Sequence, residues 1–85
     1  MASLKEQLSV KGTKVKLQFS TKEREYFERE AGFTDEELEV FRFRTRGFNT
    51  VQIATHMEEL FGKYYSVSTI ESRIKSIKRK IYHLL

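Results

Sequence analysis

The chain contains no cysteine and no proline, and only two histidines. Without cysteine there is neither a disulfide framework nor a thiolate metal site. His56 and His83 are the sole imidazoles and lie far apart without a ligand pattern, so a structural zinc is not expected. No apolar run approaches the length of a membrane span, and no signal peptide shows at the start. A cytoplasmic location is the resulting expectation. There is no phosphate-cradling glycine loop and no nucleophile–base set. Acids are plentiful, but they fall on helix starts and exposed faces rather than in a paired arrangement. Neither an enzyme nor a cofactor is expected.

The 85 residues are 39% hydrophobic and 13% aromatic. That is enough for one small core and argues against wholesale disorder. Net charge is +4, but its distribution tells more. Residues 1–22 carry five lysines against Glu6. Residues 23–39 carry eight acids against Arg24 and Arg29. Residues 63–85 carry six basic residues against Glu71. An acidic shoulder and a basic C-terminal end suit an oriented approach to a polyanion. The plain alternative is a solvated surface.

With proline absent, glycine supplies the punctuation. Ser3 and Glu6 have the spacing of a capping box, Leu4 and Leu8 share a face, and Gly12 breaks the turn. Val15, Leu17 and Phe19 then alternate with polar residues, a strand pattern. A lone strand needs a partner, so this segment either pairs with its twin in a dimer or lies as an extended arm on the helices. Ser20 and Glu23 open a helix that runs to about Ala31, and Gly32 stops it. Thr34 and Glu37 open the next, with Phe33 placed to staple onto Leu38 and Gly47 ending it. Asn49 and Gln52 start a third, whose buried stripe is read as Ile53, Met57 and Leu60 or Phe61, ending at Gly62. Ser66 caps the last helix, in which Ile70, Ile74, Ile77, Ile81 and Leu84 or Leu85 recur at spacings of three and four. The expected fold is all-α: a small helix-turn-helix domain with an N-terminal extended arm. Residues 1–32 form the arm and a short helix, and 33–85 the helix-turn-helix unit.

Residues 33–57, from Phe33-Thr34-Asp35-Glu36-Glu37-Leu38 through Gly47-Phe48-Asn49-Thr50-Val51-Gln52-Ile53-Ala54 to Met57, resemble the start of helix-turn-helix domains of the LuxR type. They equally resemble region four of bacterial sigma factors. Ser68-Thr69-Ile70-Glu71-Ser72-Arg73-Ile74 is similar to the opening of the recognition helix in those families. One departure stands out. Ala54 lies twelve positions before Ser66, further than the family spacing. The stretch from Glu58 to Tyr64 either lengthens the scaffold helix or enlarges the turn, and Tyr65 fills the apolar position before the cap.

The resemblance implies double-stranded DNA as the partner and transcriptional regulation as the role, with a recognition helix at about 67–83. The residues themselves supply a physical case. With Ile70 and Ile74 inward, Val67, Ser68, Glu71, Ser72 and Lys75 face outward on the leading turns and are the expected base contacts. The expected phosphate contacts are Asn49 and Thr50 at one helix start, Ser66 and Thr69 at the next, and Lys63, Lys78, Arg79, Arg42 and Arg46. Arg44 points away from the Arg42–Arg46 face. A homodimer through the arm or the C-terminal helix is a further expectation. Two rivals keep the fold: an adaptor or phage-type modulator that docks on RNA polymerase or another protein, and a packaging or replication accessory protein of a mobile element. The acidic shoulder suits the first.

Overall fold

Three of the helices begin with the same reciprocal cap. The structure, a computed structural model, describes residues 19–85. Within them lie α1 (Thr21–Glu30), α2 (Asp35–Thr45), α3 (Thr50–Phe61) and α4 (Val67–Leu84). The described residues contain no strand. The expected strand and arm fall outside the described residues, Phe19 apart.

At α1, α2 and α3, the side chains of Ser20, Thr34 and Asn49 accept from the backbone N–H three residues on. Glu23, Glu37 and Gln52 reach back to the N-cap N–H. Each cap contributes about 1 kcal/mol. That does not suffice for helices of 10–12 residues, which are marginal alone; packing must do the rest. Gly62 caps α3 at φ +69°, donating its N–H to Glu58. This left-handed conformation is open to glycine and costly for other residues.

Phe27 of α1, Val40 and Phe41 of α2, Ile53, Ala54 and Met57 of α3, Tyr65, and Ile70, Ile74, Ile77 and Ile81 of α4 form one buried cluster. Each fully buried aliphatic side chain is worth roughly 1.5–3 kcal/mol. The α2, α3 and α4 helices pack pairwise on one another. The α1 helix joins them through Phe27, and Phe19 and Phe33 each lie against the Phe41 ring, at 6.1 and 5.0 Å between centroids. The helix grouped with the arm on sequence grounds therefore shares the core of the other three.

Both alternatives for the last position of the α3 stripe lie outside it. Leu60 is 56% exposed and Phe61 37% exposed. The lengthened segment between Ala54 and Ser66 is absorbed mainly by helix: α3 continues to Phe61 before the chain turns through 62–66. The last turn of α3 thus runs past the core. At the other end Ile81 is fully buried, so the C-terminal helix offers a second copy only the periphery of its stripe, with Leu84 half-buried and Leu85 exposed.

Candidate nucleic-acid interface

The α4 helix turns by about 100° per residue, and its four isoleucines fall within a narrow sector facing the core. Two flanks and an outer face remain. Their electrostatics differ sharply.

The rear flank docks on the first turn of α2. The Glu37 carboxylate is 4% exposed and accepts from the Lys80 ammonium, the Ser76 hydroxyl and the Thr34 N–H. Burial alone would raise its pKa. The hydrogen bonds from Lys80, Ser76 and Thr34, with the Lys80 charge, outweigh that and hold it at about 2. Lys80 also donates to the Gly32 carbonyl at 3.1 Å. Beside it, Glu36 pairs with Lys63 at 2.8 Å and with Arg73 at 3.3 Å. Lys63 is the main reason the Glu36 carboxyl lies below its usual range. Tyr65 is buried at this junction with the Lys63 ammonium 5.3 Å from its ring centre. Burial is the main reason its phenol is pushed up. These contacts fix the rotation of α4 about its axis.

The outer face carries short polar side chains and cations. Val67, Ser68, Glu71, Ser72, Lys75 and Arg79 are all exposed. Ser66 caps the helix, its Oγ accepting from the Thr69 N–H at 3.1 Å and lying 2.9 Å from the Thr69 hydroxyl. All five expected base-contacting residues thus lie on one accessible surface at the front of α4.

The front flank meets the end of α2 and the start of α3. Here Arg44, Thr50, Glu71, Ile74, Lys75 and Lys78 line a cleft of about 350 Å³. Arg44 donates from Nη1 to the Phe48 carbonyl at 3.0 Å, which anchors its guanidinium. Sequence reasoning set Arg44 apart; the structure places it in one cleft with Lys78. Burial, and secondly the Arg44 charge, push the Lys78 pKa down. Among the described residues neither cation has a carboxylate at ion-pair distance, and the same holds for Lys75, Arg46 and Arg79.

Two residues expected at phosphates make ion pairs within the protein. Arg42 bonds to Glu28 of α1 and to Glu39, at 3.2 Å for the second. Glu28 is the chief reason its guanidinium is pushed up. Lys63 is held by Glu36. Arg46 is exposed at the end of α2, next to a shallow hollow it shares with Arg24 and Arg42 rather than with α4. Asn49 is exposed at the α3 cap, its side chain occupied by the Gln52 N–H.

The histidines show no ligand geometry. The His56 ring stacks near-parallel on Phe43 and Phe48, at 5.0 and 5.1 Å, and His83 is exposed. No group of three or more candidate metal ligands occurs among the described residues, and none of the helices described is long and apolar enough to cross a membrane. No protein-family model, curated protein or solved structure matches this chain.

Proposed function

We propose that the protein binds double-stranded DNA in a sequence-dependent way, as a small transcriptional regulator, with α4 as the helix that enters the major groove. One observation carries the reading. The basic residues of α4 divide by flank: Arg73 and Lys80, on the rear, are neutralised by Glu36 and Glu37, whereas Lys75, Lys78 and Arg79 have no carboxylate partner among the described residues. The side of α4 turned away from α2's acidic first turn thus presents net positive charge, as a polyanion-binding face requires.

The dimensions are compatible. From Ser68 to Lys78 α4 rises about 15 Å, slightly more than the roughly 12 Å width of the major groove. With Ser68, Glu71 and Ser72 at the base edges, Lys78 lies at the groove's margin, where the backbone runs. The hydroxyls of Ser68 and Ser72 donate or accept at bases, Glu71 accepts from cytosine N4, and Val67 meets a thymine methyl. Lys75 serves base or phosphate. A single unit of this size covers one half-site, so a dimer on two half-sites is part of the proposal.

The test is binding to a random duplex pool across a salt series, followed by selection of preferred sites. The expected result is a steep fall of affinity with salt and a recovered consensus. Salt-independent behaviour, or no binding at low salt, overturns the reading.

A protein-docking role has one observation in its favour. Leu60 and the 79% exposed Tyr64 stand out at the end of α3 and in the turn, clear of the core. The acidic shoulder supports it less than its composition suggests, because Glu28, Glu36, Glu37 and Glu39 are engaged in internal ion pairs. Retention of RNA polymerase by the immobilised protein, lost in Tyr64→Ala, would favour that role.

A further inference from the structure

The cleft on the front flank of α4 contains an arrangement that the free protein does not need. Arg44 comes from the last turn of α2 and Lys78 from the middle of α4, and both line the same hollow. Like charges brought together destabilise a fold unless an opposite charge lies between them. Where Lys63 and Arg73 come together, Glu36 lies between them, and Arg42 and Lys80 each have a carboxylate too. Here the carboxylate in the cleft, Glu71, makes no ion pair with either cation among the described residues.

We infer that this cleft is a seat for one backbone phosphate of duplex DNA, gripped between Arg44 and Lys78. The inference deepens the DNA-binding reading and rests on it. Four features support it. The Arg44 fork is anchored by one nitrogen on the Phe48 carbonyl, which leaves its other donors for a tetrahedral oxyanion. Lys78 is half-buried and partly stripped of water, so less hydration is lost when it meets an anion. The cleft holds the volume of roughly twelve waters at ~30 Å³ each, room for a phosphodiester with its solvent. Thr50, at the first position of α3, brings a hydroxyl to the same wall.

Glu71 gives the seat a direction. It lies two turns before Lys78 on α4, about 10 Å along the axis, comparable to the groove depth of about 8.5 Å. A phosphate is repelled by Glu71 and attracted by Arg44 and Lys78. The duplex backbone therefore crosses the Arg44–Lys78 end of the cleft, with Glu71 left facing base edges. The grip aligns α4 with its N-terminal turns deepest. Lys78 is thus a binding residue whose charge costs the free protein stability, which separates it from a residue that merely holds the fold.

The experiment compares wild type, Lys78→Met and Arg44→Gln. Methionine keeps the buried stem, and glutamine keeps a polar side chain without the charge. Lys22→Met, exposed on α1, is the control. Affinity for a random duplex pool is measured from about 50 to about 200 mM salt, alongside melting temperature without DNA. The expected results are a loss of about tenfold or more in each variant and a salt slope lowered by about one. Both effects should be equal across sequences and absent in the control. Lys78→Met should melt above wild type. Variants that bind like wild type overturn the seat, while duplex binding by wild type leaves the broader reading standing. A lower melting temperature for Lys78→Met overturns it too, since the lysine would then support the fold. If wild type binds no duplex, the broader reading fails and this assignment with it. Inorganic pyrophosphate identifies that case: a melting rise in wild type but not in Lys78→Met, without duplex binding, assigns the cleft to small phosphates instead.

Discussion

Replacing Glu37 by glutamine should remove most of the pH dependence that this fold owes to the strut between α2 and α4. The carboxylate is almost fully buried, with Lys80, Ser76 and the Thr34 N–H as donors. Its pKa falls from an ordinary 4.5 to about 2. A folded-state value below the unfolded one means that the unfolded chain takes up the proton first. The stabilisation is therefore fully present above about pH 4.5 and is lost as pH falls towards 2. Each pH unit between the two values is worth about 1.4 kcal/mol, so the whole contribution is about 3 kcal/mol. Glutamine preserves the shape and can still complete the cap at Thr34, but it leaves Lys80 without its counter-charge. A loss of about 2–3 kcal/mol at neutral pH is expected, and about 10–20 °C in melting temperature for a domain of this size. Urea unfolding followed by circular dichroism at pH 7, 5, 4 and 3 measures it, with Glu25→Gln, exposed on α1, as the control for loss of one charge. The difference between wild type and Glu37→Gln should shrink steadily below about pH 4.5. A gap that stays constant with pH, or one below about 1 kcal/mol at pH 7, would show that the carboxylate is not held in this way.

Further outcomes follow from the same geometry. Ser72→Ala should leave the salt slope unchanged and alter the recovered consensus at one position, whereas Lys75→Ala should flatten the slope; site selection and a salt titration distinguish them. Gly62→Ala should destabilise by about 1 kcal/mol or more in urea unfolding. An added Cβ there meets nothing within 4 Å, so the cost is that of the left-handed backbone alone. Ile77→Ala, at a fully buried site under α4, should cost about 2–5 kcal/mol by the same assay.

The helix starts were legible residue by residue. Ser20 with Glu23, Thr34 with Glu37, Asn49 with Gln52, and Ser66 with Thr69 act across three residues, so the chain carries both halves of each interaction side by side. The isoleucine stripe of α4 was equally readable, because helical periodicity places residues 70, 74, 77 and 81 on one face wherever the helix goes. Once that face is inward, the outward position of Ser68, Glu71, Ser72 and Lys75 follows.

Periodicity cannot say where a core stops. Leu60 and Phe61 continue the stripe of α3, yet they lie beyond the reach of α2 and α4 and remain exposed. Nor can it pair charges. Arg42 meets Glu28 fourteen positions away, Arg73 meets Glu36 across thirty-seven, and Lys80 meets Glu37 across forty-three. Arg44 and Lys78 line one cleft only because α2 and α4 pack together, which no local spacing encodes. Local order in this chain is written by caps and stripes, since those forces act within one turn. Which cations are paired inside the fold and which stay without a carboxylate depends on helix against helix, since Coulomb attraction follows distance in space rather than along the chain.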